Sequence, residues 1–221
     1  MLKIEEINDA KYIVIVLEDD ASIDHLASAN ALYTYLLQLH KKVSLYCCSY
    51  DYDLHLNFLP WIEKLKNSYP SSADYKINAI GSLDLLDFFI DEDIKLNKKM
   101  ATSLYAGLLD VTKGFTSGID GMIFAKAKLL VDSGADAILC SENLVHYQSY
   151  ATLRLKAILL SKMYLTNDAK MAVFELEDKD LSQSGAQIKD LKKVLVEALS
   201  LPTVKSAVIM YKNEVIMKEE I

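Results

Sequence analysis

Residues 12–28 read YIVIVLEDDASIDHLAS. The first six are an uninterrupted apolar run, the pattern of a β-strand covered on both faces. The rest places Glu18, Asp19, Asp20, Asp24 and His25 at the exit of that strand, where a helix begins. Ligand sites in α/β folds collect at this position, beyond the carboxyl end of a strand. Carboxylates grouped with a histidine there have the chemistry to hold Mg²⁺ or Mn²⁺ through oxygen and imidazole. A plainer reading stands beside it. Asp19 and Asp20 serve as solvated loop acids, Ser22 caps the following helix, and Asp24 favours its N-terminus electrostatically.

Working outward, residues 22–40 carry Leu26, Ala29, Tyr33, Leu36 and Leu37 at three- and four-residue spacing and are expected to be helical. KKVSLYCC follows as a strand. FLPWIEKLKNSY reads as a helix with Pro60 in its first turn. Segments 82–91, 97–110 and 120–133 carry helical apolar spacing, and GADAIL reads as a short strand. Residues 144–165 are expected to form a long helix. Beyond it come strand KMAVFEL, the acidic helix start EDKDLSQSG, helix 187–199 and strand VKSAVIMYK. NEVIM pairs with that last strand through a turn at Asn213. The fold class expected is α/β, a mostly parallel sheet flanked by helices, with a long connecting helix and a small α/β C-terminal unit. The divisions expected are 1–143, 144–166 and 167–221.

The chain has 221 residues, 52% hydrophobic and 25% charged, which is enough for a buried core. No apolar stretch reaches the roughly 18 residues that span a bilayer, and MLKIEEINDA lacks a signal-peptide pattern. A cytoplasmic location is the expectation. Cys47 and Cys48 are adjacent on a strand, so their thiols point to opposite faces; they give no disulfide framework and no zinc spacing. The net charge is −7, and Arg154 is the single arginine. Phosphate-backbone binding needs a concentrated positive surface, so a long nucleic-acid track is not expected. A short local lysine site is compatible.

Few other residues point to chemistry. Asp51, Asp53 and His55 in YDYDLH read as a polar loop, and His40 and His146 as helix-end residues. Asp84, Asp87 and Asp91 fall on one solvated helix face. No GxSxG, Walker or dinucleotide glycine pattern occurs.

Two segments together carry a family resemblance. YIVIVLEDDASIDHLASANALYTYLLQLHKKVSLY resembles the first motif of the DHH-type phosphoesterases, the RecJ-like and oligoribonuclease group, in which a strand leads into HxNPDGDAxGS and a helix ending in LGKKV. MATSLYAGLLDVTKGF resembles that family's fourth motif. LLVDSGAD, LRLKAILLSKM and LSQSGAQIKDLKKVLVEAL continue the likeness, the last resembling the start of the family's C-terminal substrate domain. The resemblance implies a two-metal hydrolase scaffold using Mn²⁺ or Mg²⁺ against a phosphodiester.

The departures fall on the chemistry. The family's metal-binding histidine aligns with Glu18 and its first aspartate with Ser22, while the second aspartate is kept as Asp24. The ligand aspartate of the fourth motif aligns with Val111, Asp110 being displaced by one position. The Asp-His-His triplet is absent, as is the GGGH loop, and the second and third motifs have no room. Several tens of residues are missing relative to that pattern.

These losses imply a vestigial site at Glu18, Ser22, Asp24, Asp110 and Val111, with Asp24 the one ligand left if any metal binds. No cofactor is expected. The leading expectation is a catalytically inactive, DHH-like protein that binds a protein partner or self-associates. One alternative is a residual phosphoesterase acting on short oligonucleotides or nucleotides, with Mn²⁺ or Mg²⁺ held by Glu18, Asp19, Asp20 and Asp24, helped by His25 or Asp110. Another is a non-catalytic nucleotide or RNA binder using Arg154, Lys113 and Lys156.

Overall fold

The computed structural model describes residues 2–19, 21–49, 52 and 54–220. The chain divides into two units, Met1–Tyr147 and Gln148–Ile221.

In the first unit, β1 (Tyr12–Val16), β2 (Lys42–Tyr46), β3 (Leu65–Lys66) and β4 (Tyr75–Asn78) form a parallel sheet in the order β3-β2-β1-β4. Its helices are α1 (Ile4–Asp9), α2 (Ile23–Gln38), α3 (Ser82–Asp91), α4 (Lys98–Val111), α5 (Gly121–Asp132) and α6 (Ala137–Leu144). The β1–α2–β2 unit and the three helical segments 82–91, 97–110 and 120–133 therefore stand where the apolar spacing puts them. Along β1, Ile13 and Ile15 enter the main core with Leu45 of β2 and Ile77 of β4.

Two helices are buried almost all round, which is the signature of a helix covered on more than one side. In α2, Leu26, Ala27, Ala29, Ala31, Leu32 and Leu36 are buried, and in α4 every residue from Met100 to Leu109 is. The small side chains Ala27, Ala31, Ala101 and Ala106 let apolar layers close without voids.

The second face of the sheet is covered differently. The connection from β3 back to β4 runs in the reverse direction across the sheet, so a right-handed crossover takes it over the face opposite α2. Tyr69 in that return packs edge-on against Tyr46, ring centroids 5.1 Å apart. Asp74 at its end accepts the Tyr12 amide at 2.9 Å. No helix lies within this return, residues 67–74.

Two segments of the first unit depart from their sequence reading. FLPWIEKLKNSY is not one helix: Phe58 ends a 3-10 turn begun at Leu54, Ile62–Lys64 forms a second such turn, and the chain then enters β3. Tertiary bonds override the helical spacing here. Buried Asn30 of α2 accepts the Trp61 amide at 2.7 Å, and the Trp61 indole donates to Thr34 at 2.9 Å. GADAIL is not a strand either, because Asp136 accepts the Leu139 amide at 3.2 Å and starts α6.

The second unit holds α7 (Tyr150–Lys162), α8 (Asp178–Ser184) and α9 (Leu191–Leu199) with β5 (Tyr164–Thr166), β6 (Met171–Leu176), β7 (Ser206–Tyr211) and β8 (Glu214–Glu220). The helix read over 144–165 is thus α7 alone, capped by Ser149 and shorter at both ends. The sheet order is β5-β6-β7-β8, with β6 and β7 parallel and the outer pairs antiparallel. Leu155, Leu159, Phe174, Leu195 and Ile209 fill its core. Lys212 and Asn213, both at positive φ (51° and 66°), make the β7–β8 hairpin turn at the place the sequence marks.

Asp180 organises the α7–α8 junction. Its carboxylate is fully buried, accepts the Glu177 amide at 2.9 Å and receives Lys162 Nζ at 2.8 and 2.9 Å. Asp180→Ala removes the cap and leaves Lys162 without its main partner. We expect it to destabilise this unit by about 3 kcal/mol, read as faster amide hydrogen exchange across Met171–Leu176. Unchanged exchange would show that the buried carboxylate contributes nothing.

Candidate functional site

From β1 the chain builds outward through β2 and β3, then returns to add β4 on the other side of β1. Ligand crevices in open parallel sheets form at such reversals, beyond the carboxyl ends of the two strands. A cleft of about 640 Å³ opens there, and Glu18, Asp19, Ser22, His25, Lys76 and Asn78 are among its lining residues. The loop after β1 and the first turn of α2 form one wall, and β4 supplies Lys76 and Asn78.

The α2 end of the cleft is held by local bonds. Ser22 Oγ accepts the His25 amide at 3.3 Å and pairs with His25 Nδ1 at 2.8 Å, fixing the imidazole against the cap. Asp19 Oδ1 accepts the Ser49 amide at 3.0 Å. The side chains of Glu18, Lys76 and Asn78 have no hydrogen-bond or ion-pair partner among the described residues.

Asp24 and Asp110 are brought together, but beneath the cleft wall instead of in it. Asp110, near the end of α4, accepts the Asp24 backbone amide at 3.0 Å, one of the unpaired N–H groups of the first turn of α2. Asp24, itself buried, accepts the Ser82 amide at 2.8 Å, the first N–H of α3, and Ser82 Oγ donates back to the Asp24 carbonyl at 3.1 Å. One carboxylate thus terminates α2 and the other terminates α3. Each places negative charge where the helix dipole favours it. Burial pushes the Asp110 carboxyl up from its ordinary range; the Asp24 amide bond opposes that shift, the Asp24 charge adds to it and His25 opposes it.

This three-helix junction needs a glycine. A Cβ on Gly107 of α4 would stand 1.8 Å from Ser82 Oγ and 2.8 Å from Asp24 Oδ1. Sequence reading passed over Gly107 and Ser82, although an isolated glycine inside the helical pattern LYAGLLD is a signal of close packing. It also missed Lys76 and Asn78, which become neighbours of Glu18 only through the β1–β4 pairing.

The other candidates disperse. Val111 is exposed on α4. Lys113 follows that helix at positive φ (48°) and lines a smaller hollow of about 290 Å³ with Asp110. Arg154 and Lys156 lie on α7 in the second unit, Arg154 beside the Tyr150 ring at 5.8 Å and Lys156 bonded to Glu197 at 2.7 Å. Asp20, Asp51 and Asp53 lie outside the described residues. Asp84, Asp87 and Asp91 are exposed on α3, as their spacing implies, and Asp87 pairs with Lys126 at 2.7 Å.

Among the described residues the donor set does not gather around a divalent cation. Among the described residues no three His, Cys, Asp or Glu side chains group so that they could hold one. Asp24 and Asp110, the acids nearest the family's ligand positions, are both engaged by backbone N–H groups. Oxygen-ligated Mg²⁺ and Mn²⁺ need several converging oxygens, which this junction does not offer.

No family model and no curated protein sequence matches the chain. Among solved structures it is similar to an exopolyphosphatase-related protein from Bacteroides fragilis, with a TM-score of 0.76 at 17% identity over 94% of this chain and 78% of that one. A putative family II inorganic pyrophosphatase from Methanococcus jannaschii aligns over 90% of this chain and 82% of that one at 13% identity, with a TM-score of 0.34. The first likeness shows a shared α/β fold.

Two outcomes follow from the junction. Gly107→Ala would ordinarily stabilise a helix by about 1 kcal/mol; here the clash with Ser82 makes it destabilising by about 1–3 kcal/mol, measured by urea unfolding. Asp110 gives a pH test. A carboxyl raised in the fold contributes its full stability below the unfolded pKa and loses it as pH rises through the folded value. Asp110→Asn keeps an acceptor for the Asp24 amide but cannot titrate. Its stability relative to wild type should therefore climb as pH rises from about 4 towards neutrality, and a flat difference would contradict this arrangement.

Proposed function

We propose that the chain is a non-hydrolytic protein built on a DHH-type phosphoesterase scaffold, and that it acts by binding a protein partner or a second copy of itself. The observation that carries this reading is the engagement of Asp24 and Asp110 by the N-termini of α3 and α2. A two-metal hydrolase needs such carboxylates turned towards its cations and the water they activate. Here, freeing either acid would orphan a helix N–H group.

The binding role is supported by α5. Its inner face, with Ile123, Ala127 and Leu130, is buried. Along the two edges of that stripe apolar side chains stay exposed, Met122 (66%) and Leu129 (39%) on one edge and Phe124 (52%) and Val131 (46%) on the other. Exposed apolar side chains grouped along a helix in this way mark an interaction site.

Two measurements check the proposal. Incubation with a dinucleotide and with a generic phosphodiester in Mn²⁺ should give no turnover above buffer; turnover that disappears in Asp24→Ala would establish a residual phosphoesterase instead. Light scattering after size exclusion should report a mass above the 24.8 kDa monomer, or else the monomer should bind an apolar dye. Phe124→Glu should reduce either signal. A monomer that binds no dye would remove the interaction reading.

A further inference from the structure

The cleft at the β1–β4 reversal holds opposite charges that are not used by the fold. Glu18 sits just past the end of β1 and Lys76 within β4, and both line the same 640 Å³ space. They form no ion pair with each other and have no other partner among the described residues. Lys76 stands beside Val14 in the strand register, four residues below Glu18. At about 3.3 Å per residue, their backbones are on the order of 13 Å apart along the strand direction. Asn78, one step above Lys76 on the same face of β4, adds an amide that both donates and accepts. His25 presents its ring from the α2 wall with Nδ1 already taken by Ser22. Val16 and Ala79 give the space an apolar floor.

A ligand that meets all of these groups must carry two ends of opposite sign. A simple anion would satisfy Lys76 and Asn78 but face the Glu18 and Asp19 carboxylates. A simple cation would meet the reverse difficulty at Lys76. We propose that this cleft binds a small zwitterion without any metal, its ammonium directed to Glu18 and its carboxylate to Lys76 and Asn78, the class being short peptides with free termini. The span favours them over single amino acids. An extended tripeptide reaches about 10 Å, and with a hydrogen bond of about 2.8 Å at each end it spans the gap when the lysine and glutamate side chains lean away from one another. The volume is also in the range of small-molecule sites, about 300–1,000 Å³. The site is separate from the α5 surface, so the interaction reading can fail while this one stands.

The test is isothermal titration of the full chain, with EDTA present, using triglycine as the probe. Acetyl-triglycine-amide serves as the uncharged control, with acetate and putrescine as single-charge controls. Triglycine should bind with a Kd of about 1 mM or tighter, and the blocked peptide should be at least about 10-fold weaker. Glu18→Gln and Lys76→Met should each weaken triglycine by about 10-fold or more, while circular dichroism stays unchanged because both side chains are exposed and unpartnered. Acetate binding as tightly as triglycine, and strengthened by Glu18→Gln, would overturn the proposal in favour of an anion site. Putrescine binding as tightly, and strengthened by Lys76→Met, would overturn it in favour of a cation site. Equal affinity for free and blocked peptide, or no heat with triglycine at about 20 mM, would end it.

Discussion

Two backbone N–H groups at helix starts hold the junction of α2, α3 and α4. The Asp24 amide at the start of α2 is held by Asp110, and the Ser82 amide at the start of α3 is held by Asp24. Helix N-termini leave such donors without intrahelical partners, and burying one unpaired costs about 1–3 kcal/mol. The junction answers that constraint with carboxylates taken from neighbouring helices. It therefore ties the starts of α2 and α3 to α4, in addition to the apolar packing among these helices. Gly107 completes it by leaving room for Ser82.

The consequence for chemistry is a division of labour between two layers of acid. The buried acids are structural. The outer ones, Glu18 and Asp19, sit beside the cleft with Lys76 across from them. The family resemblance groups Glu18, Asp24 and Asp110, with Ser22 and Val111, as one vestigial metal site. Geometry separates them into a helix junction and a mixed-charge pocket, and each has its own physical logic.

Much of this architecture is legible in residue order. The run YIVIVL, the Ser22 cap, the helical spacing through 97–110 and the turn at Asn213 are local signals, and each works through its own few residues. What resisted reading depends on partners far along the chain. FLPWIEKLKNSY has helical spacing, yet Asn30 and Thr34, about thirty residues earlier, capture Trp61 and bend it into short turns. The fate of Asp24 is equally non-local, because its carboxylate meets an amide 58 positions away. Lys76 looked unremarkable until strand pairing brought it beside Val14. Sequence periodicity reports which face a residue takes, but not who arrives to meet it.

The return from β3 to β4 also bears on protein engineering. Residues 67–74 cross a sheet face that helices cover in most parallel α/β proteins, and most of them are exposed. Lengthening a surface connection is cheap, about 0.6 kcal/mol for each doubling. This crossing is thus a natural insertion point, where a grafted reporter peptide or an added helix could be accommodated while the caps beneath α2 and α3 stay as they are.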